Sequence, residues 1–133
     1  MDIIFSIDKQ DFRFLFDKVS EETKERGESS LYGFFAKDEK NNIIAGCYGS
    51  LVYGVIYIDQ LWVHPDYRKQ GFGKKLMEMA HAYGKERGCK KAVLQTMNFQ
   101  RIPGFYEKLG YVVEFEQFGY CEGSCLIFYA KSL

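Results

Sequence analysis

The sequence has no excess of either charge. Its 133 residues contain 18 Lys and Arg against 18 Asp and Glu, so the formal net charge at pH 7 is zero. A nucleic-acid-binding domain usually shows a basic excess, which disfavours that class of protein. The chain also lacks the run of roughly 18 apolar residues that a membrane-spanning helix needs. We therefore expect neither a nucleic-acid partner nor a membrane partner.

Metal-binding and disulfide patterns are also missing. There are only two histidines, His64 and His81, and four cysteines, of which Cys121 and Cys125 stand four apart. No second pair of ligands stands at a zinc spacing, so no metal site is predicted. The first residues contain an early acid and too short an apolar run for a secretory leader. We therefore expect reduced cysteines in a cytoplasmic protein.

Aromatic side chains, in contrast, are abundant. The chain has 12 Phe and 10 Tyr, and aromatic residues make up 17% of it. This composition favours a strand-rich, well-packed core. The length fits a single domain over residues 1–133, which can bury about two-thirds of its unfolded surface. Whether the chain forms a homodimer is left open.

Hydrophobic periodicity predicts about seven strands and three helices. The predicted strands cover residues 3–7, 31–37, 43–52, 55–63, 91–97, 111–118 and 125–131. One predicted helix begins after Asp8, and the other two cover residues 72–87 and 104–109. Each of the three has a start or stop signal. Short turns join the strands between residues 31 and 63, which should be antiparallel, whereas the fifth strand follows a helical crossover and should run parallel to the fourth. The predicted fold class is α/β (α+β), with a mixed, mainly antiparallel sheet flanked by helices.

The loop between the fourth strand and the long helix has glycines two apart, in the order Arg68-Lys69-Gln70-Gly71-Phe72-Gly73-Lys74. The first turn of a helix leaves backbone N–H groups unpaired and carries partial positive charge, which attracts phosphate. Glycine allows an anion to approach the backbone closely. The spacing fits neither a P-loop nor a dinucleotide-binding G-x-G-x-x-G motif. The loop is therefore either another kind of pyrophosphate site or an ordinary glycine-rich turn.

A second motif, Gly104-Phe105-Tyr106-Glu107-Lys108-Leu109-Gly110-Tyr111, follows the fifth strand. Together with Arg68-x-x-Gly71-x-Gly73 after a strand ending in Val63-His64-Pro65, it resembles the signatures of the GNAT acetyltransferase superfamily. The two motifs stand in the right order, and the predicted elements match the superfamily over nearly all of the chain. One departure is the single helix between the first two strands, where many members have two. The resemblance implies the GNAT fold, acetyl-CoA as co-substrate, and acetyl transfer to a primary amine.

The resemblance also implies which residues meet the cofactor. It places the pantetheine arm against the backbone of Leu61, Trp62 and Val63. It places the pyrophosphate against amides of the loop formed by Arg68, Lys69, Gln70, Gly71, Phe72, Gly73 and Lys74. Many members carry an asparagine about seven residues before the late tyrosine. Here Asn98 stands eight residues before Tyr106, and Gln100 is the alternative.

Tyr106 is the residue that the resemblance makes the general acid. A phenol can reprotonate the CoA thiolate as it leaves, since the ordinary pKa values of the two groups are about 10 and 8.5. The alternative is that Tyr106 is one of ten tyrosines and serves packing alone.

The base that takes a proton from the amine is expected on the fourth strand. Alternation puts on one face Tyr57, Asp59, Leu61 and Val63. Asp59 is the only carboxylate among them, and an acid on this strand is frequent in the superfamily. Weaker candidates are Glu107, Glu114 and Glu116, and bulk water is a further alternative. His81 is expected on the solvent face of its helix.

The sequence does not identify the acceptor. Zero net charge and small size favour the primary amine of a small molecule. Three carboxylates near the predicted cleft could attract a polyamine or an aminoglycoside: Glu114, Glu116 and Glu122. The alternatives are a peptide or protein N-acetyltransferase, a non-catalytic CoA-binding domain of the same fold, and a nucleotide-binding module that uses the same helix terminus.

Overall fold

The computed structural model describes residues 1–133 and contains three α-helices and six β-strands. The helices are α1 (Lys9–Thr23), α2 (Phe72–Glu86) and α3 (Phe105–Lys108). The strands are β1 (Ser29–Lys37), β2 (Ile43–Val52), β3 (Val55–Val63), β4 (Lys91–Met97), β5 (Val112–Phe118) and β6 (Cys125–Ser132). They form one sheet in the order β1-β2-β3-β4-β6-β5. Strands β3 and β4 are parallel, as predicted, and the other neighbouring pairs are antiparallel.

The predicted first strand over residues 3–7 is wrong. This segment forms no strand, and the side chains of Ile3, Ile4, Phe5 and Ile7 are 75–99% exposed. A short apolar run is ambiguous by pattern alone. It becomes a strand only where it pairs with a sheet edge and covers one face, and here β1 pairs with β2 alone. The sheet therefore has six strands rather than about seven.

Helix α1 begins where it was predicted. The Asp8 carboxylate accepts a hydrogen bond from the Gln10 amide at 2.8 Å and so caps the helix. The helix has no buried residue, and Phe12, Leu15 and Val19 of its apolar stripe are more than half exposed. The stripe predicted from periodicity is thus present, but the sheet does not cover it.

Helices α2 and α3 both pack on one face of the sheet. The core there combines Met77 and Ala80 of α2 with buried side chains of β2, β3, β4 and β6. Phe105 of α3 and the C-cap residue Leu109 pack against it. Gly84 of α2 lies so close to β3 that a Cβ would stand 2.8 Å from a methyl group of a buried isoleucine. The absence of a side chain at this position lets the helix approach the sheet. On the opposite face, Leu31 and Phe35 of β1 remain more than half exposed.

A β-bulge interrupts β3 near its middle. The register between β2 and β3 shifts after Tyr48, so that Asp59 is an extra residue without a partner on β2. Gly49 makes room for this bulge, because a Cβ there would lie 1.9 Å from the Tyr57 carbonyl oxygen. The Tyr32 hydroxyl donates a hydrogen bond to the same oxygen at 2.7 Å. The bulge therefore depends on the missing side chain at position 49 and is stabilised by the hydrogen bond from Tyr32.

The bulge inverts the alternation of side chains along β3. Ile58, before the bulge, is buried in the core, and its neighbour Tyr57 points to the opposite face. Leu61 and Val63, after the bulge, pack against the same core as Ile58. The expectation that Tyr57, Asp59, Leu61 and Val63 share one face is therefore wrong, because one extra residue moves every later side chain to the other face.

We expect Gly49→Ala to destabilise the protein by about 3 kcal/mol or more, the upper end for overpacking. The new methyl group would meet backbone atoms, which cannot move without breaking the bulge. Urea unfolding followed by circular dichroism measures the change. Gly33→Ala is the matched control, because its nearest obstacle at 2.8 Å is the ring of Phe35, which is 54% exposed and can turn away. Equal losses in the two variants would contradict the bulge argument.

Candidate active site

Strands β3 and β4 separate halfway along their length. Their parallel pairing ends at Ile58 and Leu94, although β3 continues to Val63 and β4 to Met97. The separation opens a cleft of about 500 Å³, and the bulge residue Asp59 lies in its wall. A bulge bends its strand and increases the local twist, which accounts for the divergence at this point.

Beyond the bulge, every second residue of β3 directs its backbone N–H and C=O groups toward the cleft. The His64 amide donates to a carbonyl of β2 at 2.7 Å, so by antiparallel alternation Trp62 also faces β2. The backbone groups of Leu61 and Val63 then point to the side from which β4 has withdrawn. The Val63 carbonyl accepts a hydrogen bond there from Arg68 Nε at 2.9 Å. Of the three residues predicted to meet an extended ligand, Leu61 and Val63 are placed to do so and Trp62 is not.

The loop before α2 leaves a row of backbone amides unpaired. The amides of Lys69 to Lys74 donate to no acceptor in the protein, and the first regular helix bond runs from the Lys75 amide to the Gly71 carbonyl at 3.0 Å. Gly71 has φ of 87° and open space where a Cβ would stand. Unpaired amides at the positive end of a helix form an anion site. The residues present therefore fit the pyrophosphate that the sequence predicted.

Most side chains of this loop stabilise its shape. Arg68 and Gln70 donate to carbonyls of the chain just before the loop, at 2.9 and 3.2 Å. Phe72 packs against the core, and Lys74 lies 3.9 Å from a glutamate one turn along α2. Lys69 makes no ion pair, so its ammonium group remains available to a bound anion.

The two sequence motifs meet beside the cleft. Gly73 lies against Phe105, whose ring would be 3.3 Å from a Cβ at position 73. The next residue, Tyr106, has its ring 5.4 Å from that of Tyr129, which lines the cleft. Burial raises the pKa of the Tyr106 phenol. No fully buried side-chain polar atom lacks a hydrogen-bond partner, so the Tyr106 hydroxyl, which has none in the protein, reaches solvent.

Tyr129 of β6 is a site residue that the sequence did not identify. Its side chain is 1% exposed and lines the cleft. Arg101 Nη1 donates to its hydroxyl at 3.2 Å, and the hydroxyl donates to Glu107 Oε1 at 2.9 Å. Tyr129 thus ties the loop after β4 to α3, the helix that carries Tyr106. The sequence held no signal for this role, because Tyr129 alternates along its strand like any core residue.

Asp59 is the cleft carboxylate that no cation neutralises. Partial burial is the only cause that raises the pKa of its carboxyl, although the residue remains largely exposed. A raised pKa favours proton acceptance near neutral pH. Among the weaker candidates, Glu114 lies 3.1 Å from Lys91, and Glu107 is engaged by Tyr129. The geometry therefore keeps Asp59 as the first candidate base.

Asn98 and Gln100 both fold back onto the backbone. Asn98 Oδ1 accepts a hydrogen bond from the Cys125 amide at 3.2 Å, and Gln100 Oε1 accepts one from the Met97 amide at 3.3 Å. Gln100 lines the cleft, whereas Asn98 does not. Of the two candidates, Gln100 is the one placed to meet a ligand.

Comparison with known proteins agrees with this geometry. The model of the acetyltransferase (GNAT) family matches residues 1–111. This chain belongs to the GNAT acetyltransferase family. Blasticidin-S acetyltransferase of Streptomyces morookaense is 33% identical over 82 residues, which cover 61% of this chain and 60% of that protein. An acetyltransferase of Agrobacterium fabrum is 32% identical over 75 residues, so these two curated relatives are matched over 60% and 54% of their own length. The family predicted from the two motifs is confirmed.

Solved GNAT structures share the fold. An acetyltransferase from Bacillus cereus has a TM-score of 0.76 at 25% identity, covering 100% of this chain and 99% of that one. A Bacillus anthracis protein named as a streptothricin acetyltransferase, solved with acetyl coenzyme A, has a TM-score of 0.69 at 25% identity. That likeness covers 80% of this chain and 64% of the other. The predicted fold class is confirmed, with six strands in place of about seven.

The GNAT chain shows no cluster of three or more His, Cys, Asp or Glu side chains that could hold a metal ion. Its four cysteines are free. None of its helices combines the length and the apolar character needed to cross a membrane.

In this GNAT chain His81 does not lie on the solvent face of α2. Its Nε2 is 2.6 Å from the hydroxyl of Tyr111, which is 2% exposed, and the bond joins α2 to the segment after α3. Burial, together with the nearby charge of Lys131, lowers the pKa of His81 to about 4. The expectation was wrong because helix periodicity identifies only the side chains that face the sheet. It does not show that a residue outside this stripe contacts the segment after another helix.

We expect His81 to make the protein less stable in mild acid. Its pKa is about 4 in the native state and about 6.5 when unfolded, so the unfolded state binds more protons between these values. The contribution of His81 to the free energy of unfolding is therefore fully present above pH of about 6.5, and it is lost as the pH falls toward about 4. Urea unfolding of wild type and His81→Gln between about pH 7.5 and pH 4.5 isolates the effect. The advantage of wild type over the variant should shrink as the pH falls, and a constant difference would contradict this expectation.

Proposed function

We propose that this chain transfers an acetyl group from acetyl-CoA to a primary amine of a small molecule, with Tyr106 as the general acid. The observation that carries the proposal is the contact between the two elements that bear the motifs. A row of unpaired amides precedes α2, and Phe105, the residue before Tyr106, packs against Gly73 of that row. The family match supports this activity. The relatives named above carry blasticidin-S and streptothricin in their names, both small molecules.

Two groups of residues, the loop before α2 and the end of β3, would hold the cofactor. In this proposal the amides of Lys69 to Lys74 hold the pyrophosphate, with Lys69 as the free cation. Leu61 and Val63 hold the pantetheine arm through their backbone groups. Acetyl-CoA supplies the activated thioester. A relative solved with acetyl coenzyme A supports this choice of co-substrate.

Acetyl transfer needs a neutral amine and a proton for the sulfur that leaves. Asp59 takes a proton from the ammonium group, directly or through a water molecule, because an alkyl ammonium with a pKa of about 10.4 is rarely neutral at pH 7. The neutral amine attacks the thioester carbonyl carbon, the carbon–nitrogen bond forms, and the nitrogen releases its second proton to solvent. Tyr106 gives its proton to the sulfur as the carbon–sulfur bond breaks. Burial keeps the phenol protonated, as a donor must be, and also makes its proton harder to release. We therefore place the transfer in concert with bond breaking, with reprotonation of Tyr106 from the solvent that its hydroxyl reaches.

Gly71→Trp should weaken acetyl-CoA binding by about tenfold or more, which corresponds to about 1.4 kcal/mol. The indole would fill the open space beside the unpaired amides. Gly54→Trp is the matched control: Gly54 also has φ of 87° and open space, but it lies at the opposite end of β3. Calorimetry with acetyl-CoA, CoA and ATP measures the change. Tight ATP binding without acetyl-CoA binding would instead favour a nucleotide-binding module.

Replacing Tyr106 by Phe should lower kcat by roughly 10²-fold, in line with general acid contributions, while acetyl-CoA affinity holds. Thiol release over a panel of amines measures kcat. Tyr111→Phe is the control, since its ring is 5.9 Å from that of Tyr106 but its hydroxyl is bound to His81. That variant should lose stability and keep kcat. Wild-type turnover in Tyr106→Phe would exclude the acid role, and acetyl-CoA binding without turnover of any amine would favour a non-catalytic domain.

A further inference from the structure

Helix α1 turns its polar side toward its own sheet. An open hollow of about 740 Å³ lies between the helix and the start of β1, and α1 lines it with Arg13, Phe16, Asp17, Ser20 and Glu21. Apart from Phe16, these side chains are polar or charged. An α-helix rotates by about 100° per residue, so the apolar stripe of Phe12, Leu15 and Val19 lies on roughly the opposite side. These three residues are 51–65% exposed.

Contacts at the end of α1 fix this orientation. The Tyr53 hydroxyl donates to the Thr23 hydroxyl at 2.5 Å, which holds the last residue of the helix against the turn between β2 and β3. Glu28, just before β1, forms an ion pair with Arg87 at 3.0 Å, and its carbonyl accepts a hydrogen bond from the Tyr53 amide at 2.9 Å. The helix cannot turn its stripe inward without breaking these contacts. Covering the stripe therefore requires another molecule.

The exposed surface of the chain is large for its mass. It amounts to 9841 Å² for 15.5 kDa, whereas general scaling gives about 7,200 Å² for a folded monomer of this mass. The excess of about 2,600 Å² is comparable to the area that one subunit buries in a large obligate homodimer, about 1,000–2,500 Å². The exposed area is therefore sufficient for a stable interface with a second copy of the chain.

The stripe is complementary to itself in an antiparallel arrangement. Its residues are three and four apart, the spacing of the seam between two packed helices. When a two-fold axis passes beside Leu15, this residue faces its own copy, and Phe12 faces Val19 of the second copy. The same axis places Asp11 opposite Lys18 of the second copy, so opposite charges flank the seam. A parallel arrangement would instead place each charge beside its own copy.

We propose that the chain forms a two-fold symmetric dimer in which the stripe of Phe12, Leu15 and Val19 packs antiparallel against the same stripe of a second copy. One surface then serves both subunits, as in any isologous interface. The dimer leaves the cleft between β3 and β4 open, because no residue of α1 lines the cleft. This assembly goes beyond the proposed acetyltransferase function and does not depend on it.

Analytical ultracentrifugation of the full chain over a range of concentrations tests the dimer. Leu15→Glu brings two carboxylates together at the axis and should raise the dimer Kd by about 30-fold or more, as expected at the centre of an interface. Phe14→Glu is the matched control, since Phe14 is 63% exposed against 65% for Leu15 but lies outside the stripe. Circular dichroism should show both variants folded, because α1 buries no residue. A monomeric wild type, or equal Kd values for the two variants, overturns the proposal.

A charge exchange tests the antiparallel arrangement. Asp11→Lys and Lys18→Glu each bring like charges together across the axis and should raise the Kd by about 3-fold or more. The double variant should recover the wild-type Kd. Asp11 and Lys18 are about 10 Å apart along their own helix, and their local partners Ser6 and Glu21 stay mismatched in the double variant. Recovery therefore reports pairing between copies. If the double variant binds no more tightly than the single variants, the antiparallel arrangement is wrong.

Discussion

The Tyr57 carbonyl oxygen occupies the space that a side chain at position 49 would fill, and the arrangement of the cleft depends on this steric constraint. Because position 49 is glycine, β3 can take up the extra residue Asp59 as a bulge. The bulge turns Leu61 and Val63 toward the core, and it coincides with the end of pairing between β3 and β4. The cleft and the carboxylate in its wall therefore have one structural origin.

Close backbone approach also positions the other components of the site. Gly84 brings α2 against β3, and Gly73 brings the first turn of α2 against Phe105 of α3. The loop that carries the unpaired amides is consequently held against the helix that carries Tyr106. Tyr129 then fixes α3 to the loop after β4 through Arg101 and Glu107. Small residues allow the approach, and buried hydroxyls fix the elements once they are close.

Burial sets the protonation states around the cleft. It raises the pKa of Tyr106 and of Asp59 and lowers that of His81, so it favours the neutral form in each case. Lys91 and Glu114 neutralise each other at the open side. The positive end of α2 remains as the region that attracts an anion, and Asp59 remains as the group that attracts a cation. The two ends of the site thus differ in the charge that they favour.

The sequence by itself determined the features that depend on neighbouring residues. The Asp8 cap, the glycine spacing before α2, the helical stripes and the two motifs are local, and they were enough to predict the fold class and the family. Only the tertiary structure decided that residues 3–7 form no strand, that β3 carries a bulge, and that His81 and Tyr129 are bound by distant groups. Each of these depends on atoms brought together from far along the chain. A strand forms only where it pairs with a neighbouring strand, and a bulge needs space on the neighbouring strand, neither of which a local pattern records.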